Sequence, residues 1–209
     1  LVERSWQDRD EFADLIPLDV AQMERRLRHV LILRKGFLST RNFIYGPDCN
    51  MANQLFNEAV SRVTDLVRHV ELDMKQLDGR PFQGLVIVLA SAPKLDAVDF
   101  VTSGDCVRHI PNLANLLHGL AKNSSTRPLS LKIGELYVWK RSSKAEREQI
   151  VQSLARLHNL SGFTLIRCSM DLSQLLCRGL KKLPNLTSLS ITQSVETQVV
   201  LSLLATLPN

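Results

Sequence analysis

Apolar residues fall at fixed places along the last third of the chain. The stretch "LARLHNLSGFTL" at 154–165 lies over "LKKLPNLTSLSI" at 180–191, 26 residues later. Each ends in L-x-x-L-x-L, as Leu160, Phe163 and Leu165 and as Leu186, Leu189 and Ile191. Upstream the pattern recurs at Leu95, Val98 and Phe100, at Pro128, Leu131 and Ile133, at Val67, Val70 and Leu72, and at Leu27, Val30 and Ile32. The block starts, 27, 67, 95, 128, 160 and 186, are spaced by 40, 28, 33, 32 and 26 residues. A period in this range marks an array of stacked supersecondary units.

Inside each block the period is two, so the side chains alternate between two faces and a strand is predicted. Between blocks the apolar residues recur at three and four. In "EREQIVQSLARLH" at 146–158 they are Ile150, Val151, Leu154 and Leu157, the spacing of a helix face. Comparable helical segments span 49–67, 111–122, 171–183 and 194–207, and Pro111 is suited to opening the second of them. One strand and one helix cannot cover their own apolar face, whereas stacked copies bury a continuous core. The expectation is an α/β leucine-rich-repeat solenoid with irregular repeats, a parallel sheet on the concave face and helices on the convex face.

The organisation expected is an N-terminal helical segment at 1–26 and a repeat domain at 27–209. The final "LLATLPN" at 203–209 copies "LKKLPN" at 180–185, so the repeat domain reads as truncated, with a further strand due past Asn209. The first residue is Leu1, which reads as the start of a piece of something longer. Small polar residues at the turn after the strand, Ser103, Cys168 and Ser194, are expected to satisfy buried backbone groups there.

Composition narrows the classes. With 209 residues, 44% hydrophobic content and a mean hydropathy of −0.02, the chain can bury a sizeable core. Its longest apolar run, "GLVIVLASA" at 84–92, is about half of what a membrane helix needs. Cys49, Cys106, Cys168 and Cys177 form no C-x-x-C pair and have no His at zinc-finger spacing. They read as reduced thiols of an intracellular protein, cytoplasmic or nuclear. Acceptor patterns for glycosylation at Asn123, Asn159 and Asn185 keep an extracellular repeat domain as a further alternative.

Candidate chemistry starts from a recurring triplet, Arg28-His29-Val30, Arg68-His69-Val70 and Arg108-His109-Ile110. The first two occupy one place in the repeat, with Val inward and His outward on two strands; the third runs into Pro111 and a helix. Zinc needs three or four converging ligands, and no carboxylate or Cys stands beside both His29 and His69, so no metal site is expected. Cys168 with His158 is the nearest approach to a nucleophile and base, and it reads instead as a structural thiol. Asp73, Asp96, Asp99 and Asp105 are the carboxylates available for acid–base work, and Asp73 and Asp99 read as solvated neighbours beside a sheet. No glycine-rich phosphate loop follows a strand. The chain reads as a non-enzyme with no catalytic residue and no cofactor.

A net charge of +5 and a pI near 9.2 support a second class, a basic nucleic-acid-associated scaffold. Its best segment is "VWKRSSKAEREQ" at 138–149, where Lys140, Arg141 and Lys144 stand near Tyr137 and Trp139. Glu146 and Glu148 interrupt the charge, and a solvated helix start accounts for it better. The favoured class is a protein-interaction module. By alternation the concave strip reads His69, Glu71, Asp73, then Ala97, Asp99, Val101, then Ser130, Lys132, Gly134, then Gly162, Thr164, Ile166, then Ser188, Ser190, Thr192. Within it His69, Glu71, Asp73, Asp99, Lys132, Thr164, Ser188 and Ser190 are the candidate contacts. The strip runs from charged to small and neutral, which suits a protein partner better than a small substrate.

The helix-bearing repeats, with Cys168 at a turn, resemble the cysteine-containing and ribonuclease-inhibitor-like leucine-rich repeats over residues 27–209. "LVERSWQD" at 1–8 is similar to the last helix of an F-box, which commonly reads L-V-C-x-x-W; Glu3 stands where that Cys would be, and Trp6 matches the tryptophan. An F-box followed by a "VRHV"-type strand and irregular repeats is an order common in F-box proteins with leucine-rich repeats. The resemblance implies the substrate-recognition part of a ubiquitin-ligase receptor. On that reading Leu1, Val2 and Trp6 would contact the ligase adaptor, and the concave face would hold the target.

Overall fold

The computed structural model describes residues 19–40, 50–73, 80–101, 109–123, 126–134, 143–167 and 170–192. Their elements alternate from end to end: α1 (Val20–Leu33), β1 (Phe37–Ser39), α2 (Asn50–Ser61), β2 (His69–Asp73), α3 (Arg80–Ala90), β3 (Ala97–Val101), α4 (His109–Leu120), β4 (Leu129–Gly134), α5 (Lys144–Leu154), β5 (Leu160–Ile166), α6 (Met170–Leu180) and β6 (Ser188–Thr192). A short 3₁₀ turn at Thr64–Leu66 leads into β2. The strands pair in sequence order, all parallel, as one sheet of six among the described residues. Consecutive helices pack side by side, α1 on α2 through α5 on α6. This is the α/β leucine-rich-repeat-like solenoid the pattern predicts.

Its core is a single layer between sheet and helices. Val70, Leu72, Val98, Phe100, Leu131, Ile133, Phe163 and Leu165 point inward from the strands and are buried. They meet helix residues such as Phe56, Leu89, Leu116, Ile150, Leu154 and Leu176 in one continuous cluster. Apolar burial at about 25 cal/mol per Å² makes this layer the main source of stability. At β6 the inward residues Leu189 and Ile191 are only partly buried, as they stand on the last described strand.

The first repeat departs from expectation. The strand and block start placed at Leu27 are helical: Val20, Met23, Leu27 and Leu31 face the core at steps of three and four, and Asp19 caps the helix by accepting from the Gln22 amide at 2.7 Å. The boundary between residues 26 and 27 therefore falls inside α1, and Arg28-His29-Val30 is a turn of helix. An apolar run such as "HVLIL" satisfies both periods over a few residues, and the capped helix upstream decides it. The true first strand aligns Phe37 with His69. Along the row Phe37, His69, Ala97, Ser130, Gly162 and Ser188 the sequence steps are 32, 28, 33, 32 and 26 residues. The irregular spacing of 40 disappears.

Helix α3 is the other element the period does not announce. Leu85, Val86, Val88 and Leu89 are all buried, so the described side chains of the helix show no polar face to reveal its period, and its β-branched residues favour a strand reading. The predicted helices at 49–67, 111–122, 146–158 and 171–183 match α2, α4, α5 and α6 within a few residues at most ends. Helix α5 opens with a capping box, in which Ser143 Oγ accepts from the Glu146 amide and Glu146 accepts from the Ser143 amide. The segment 194–207 and the turn residues Ser103, Cys168 and Ser194 lie outside the described residues.

The reversal from α1 into β1 rests on Gly36. Its φ of +88° follows Lys35 at +53°, and its amide donates to the Leu31 carbonyl at 2.7 Å, closing the helix with a left-handed turn. A Cβ at Gly36 would stand 2.6 Å from the Leu66 carbonyl oxygen and 2.9 Å from Arg68 Cβ. Gly36→Ala is thus expected to cost roughly 2–4 kcal/mol, combining left-handed backbone strain with overpacking. Gly134→Ala, where a Cβ meets no atom of the described residues nearer than 4.0 Å, should be close to neutral. Thermal denaturation of the two variants beside the parent protein measures the difference.

Candidate functional site

Because the strands are in register, residues about thirty apart in sequence become neighbours on the outer face of the sheet. One row is Phe37, His69, Ala97, Ser130, Gly162 and Ser188; the next is Ser39, Glu71, Asp99, Lys132, Thr164 and Ser190; the third is Asp73, Val101, Gly134, Ile166 and Thr192. All eight candidate contacts read from alternation fall at these positions. Asp73 is placed by register opposite Val101. The rows continue onto Phe37 and Ser39, which a strand placed at Leu27 leaves out.

Charge is concentrated at Asp99. Its Oδ2 lies 3.6 Å from Lys132 Nζ on β4 and 3.4 Å from His69 Nε2 on β2. The His69 contact lacks hydrogen-bond geometry, so this buried nitrogen has a carboxylate neighbour but no hydrogen-bond partner among the described residues. The ring of His69 packs edge-on against Phe37, with centroids 4.8 Å apart. Glu71 accepts from Ser39 Oγ at 2.8 Å. Asp99 is 19% exposed and Lys132 38%, so the group is solvated and pairs of this kind contribute about 0–1 kcal/mol each. Beyond β4 the side chains are short: Ser130, Ser188, Ser190 and Thr192 are exposed, and Gly162 and Thr164 partly so.

A second polar system lies along the edge where helices turn into strands. Asp96 joins Arg127 at 2.7 Å and Arg68 at 3.9 Å, linking three repeats. Three asparagines reach back to carbonyls of the preceding repeat: Asn123 Nδ2 donates to Leu89 and Ala92, Asn159 to Arg127 at 3.0 Å and Asn185 to His158 at 2.6 Å. These are the asparagines of the glycosylation patterns, and here they act as rungs that satisfy backbone oxygens at the turns. The sequence carries their signal in the Asn-Leu pairs at 159–160 and 185–186. At the opposite ends of the strands Thr40 Oγ1 donates to the Glu71 carbonyl and Thr192 Oγ1 to the Leu165 carbonyl.

The histidines do not converge. His29 is exposed on α1, His69 stands on the sheet, His109 and His118 belong to α4, and His158 is exposed at the turn before β5. Among the described residues no group of three or more His, Cys, Asp or Glu could hold a metal ion. Within the same residues no helix is long and apolar enough to cross a membrane. The aromatic-basic residues Tyr137, Trp139, Lys140 and Arg141, the thiols Cys49, Cys106 and Cys168, and Leu1, Val2 and Trp6 lie outside the described residues.

No protein-family model matches the chain, and no curated protein does. Among solved structures, the chain is similar to a tropomodulin C-terminal domain of Caenorhabditis elegans at 9% identity and a TM-score of 0.43, covering 72% of this chain and 90% of that one. It is also similar to leiomodin-1 actin-binding site 2, at 12% identity and a TM-score of 0.38, covering 90% of this chain and 89% of the other. The resemblance to cysteine-containing and ribonuclease-inhibitor-like repeats and to F-box proteins is corrected by these results: no family model of either kind matches, and the two solved structures named are tropomodulin and leiomodin domains. The structure removes the order that carried the F-box likeness as well, since "LRHV" at 27–30, where the first strand of that order was placed, is part of α1.

Cys177 is buried on α6, and burial pushes its thiol from 9.0 up to about 11 against the opposing influence of Lys181. That shift lowers the thiolate population about a hundredfold near neutral pH. In the native protein Cys177 should therefore resist iodoacetamide, and it should label at the rate of a free thiol after unfolding in guanidinium. Mass spectrometry of its peptide under both conditions checks this.

Proposed function

We propose that the chain is a protein-interaction module that binds a partner segment across the outer face of its sheet and acts by binding rather than catalysis. The observation that carries this reading is the alignment of rows from six strands on one accessible face, charged around Asp99 at one side and lined by small hydroxyls and glycine at the other. Six strands at about 4.8 Å give a strip roughly 24 Å across, and five residues give a height of about 16 Å. A strip of this size fits one helix, about 10 Å in diameter, or one extended segment. The hollows found at the helix-to-strand turns are not lined by these rows. A small substrate is best held in an enclosed pocket, so these rows suit a partner segment better.

The charges on the face favour a protein over a nucleic acid. Glu71 and Asp99 would stand against phosphates, whereas a peptide can pair Lys132 and Asp99 with opposite charges of its own. The absence of an isolated, strongly basic strip among these rows supports the same choice.

Asp99→Arg together with Thr164→Trp reverses the charge and raises a large side chain at two places along one row, on β3 and β5, without touching the core. Affinity capture from lysate, quantified by mass spectrometry for this variant and for the parent, is expected to lose at least tenfold of each specifically retained protein. Substitutions on the exposed side of α5, such as Lys144→Glu, should leave retention unchanged. Equal retention by the sheet variant, with losses confined to the α5 variant, would place binding on the helical side and refute the proposal.

A further inference from the structure

We propose a second binding site, at the turn from α1 into β1, that takes an acidic segment of a partner protein carrying one large aliphatic or aromatic side chain. A hollow of about 380 Å³ opens there, at the lower end of the range for ligand sites. Its apolar surface comes from Leu31, Ile32 and Leu66, with Gly36 at its side. Among the described residues the rim carries Lys35, Arg68 and Lys94 against one acid, Asp65.

Three features converge on this hollow. Ile32 and Leu33 are 62% and 68% exposed, and they are the large hydrophobic residues that stand exposed among the described residues. Exposed apolar side chains beside a hollow mark an interaction site more specifically than scattered ones do. Ile32 belongs to both the exposed pair and the hollow, so the apolar surface continues from inside to outside. Lys35 and Lys94 have no anionic partner among the described residues, while Arg68 reaches Asp96 only at 3.9 Å and stays half exposed. The net balance of the rim is positive, which selects an acidic occupant.

The combination also separates a protein from other polyanions. A nucleic-acid backbone would have no use for the recessed Leu31 and Leu66. A lipid headgroup layer could meet Ile32 and Leu33 but could not enter the hollow. The second hollow, about 280 Å³ near Leu120, offers a contrast: it is lined by Asn123, Asn159 and Asn185, whose amides already serve backbone carbonyls. That one is part of the solenoid's own turn chemistry.

Panning a displayed peptide library on the full chain tests the site. The expected selection is of sequences with several Asp or Glu flanking a Leu, Ile, Phe or Trp. Their affinity, measured by fluorescence anisotropy, should fall at least about tenfold in Lys35→Glu/Lys94→Glu and in Ile32→Ser, should weaken as salt rises, and should be unaffected by Asp99→Arg on the sheet. Thermal melts confirm that each variant is folded. The proposal is overturned by selection of no peptide, by selected peptides that are not acidic, or by affinities indifferent to these substitutions. It is equally overturned if phosphatidylserine vesicles or a single-stranded oligonucleotide bind as tightly as the peptides, with dependence on Lys35 and Lys94 but none on Ile32.

Discussion

No strand–helix unit of this chain can cover its own apolar side, and everything else in the structure follows from that constraint. A strand such as β3 has two inward residues, Val98 and Phe100, and they are fully buried only because β2, β4 and the helices behind them supply the other walls. Stacking satisfies the strand backbones at the same time, since each parallel strand gives its hydrogen bonds to the next. The turns between units would otherwise leave carbonyls unpaired, and Asn123, Asn159 and Asn185 reach back across the stack to meet them. The polar rungs and the apolar layer therefore enforce the same register from two sides.

That register has a consequence for the surface. Ser39, Glu71, Asp99, Lys132, Thr164 and Ser190 are scattered over some 150 positions of sequence and become one line of neighbours. Asp99 meets Lys132 and His69 because of the ladder, not because of any local motif. A one-residue slip would send these side chains into the core and Val98 and Phe100 into solvent, so the polar face is held by the energy of the apolar one. Specificity on such a surface lies in which residues fill the rows, and it can change without disturbing the layer beneath.

Much of this was legible in the sequence because period two is a strong signal when one face is buried. Strands β2 to β6 sit at the positions that L-x-x-L-x-L assigns, and the outer rows follow from them by alternation. Two elements were not legible, for physical reasons. "HVLIL" at 29–33 fits both a strand and the last turns of a helix, and only the cap at Asp19 and the turn at Gly36 resolve it. Helix α3 is apolar on every described side and so hides its period. Misplacing the first strand removed Phe37 and Ser39 from the candidate face and also lent support to a family resemblance that depended on a strand at Arg28-His29-Val30. Two of the three Asn rungs were present as Asn-Leu pairs, but their purpose depends on carbonyls one repeat away, which no local pattern displays.

The central claim is a single in-register sheet whose outer rows form one face. Spin labels at residues 39 and 190, on the first and last described strands of one row, measure it directly in a background free of other reactive thiols. Pulsed electron–electron resonance should give one distance distribution centred near 24 Å, the span of five strand spacings, broadened by the labels. A distribution centred well beyond about 40 Å, or two separated populations, would show that the strands do not form one continuous ladder.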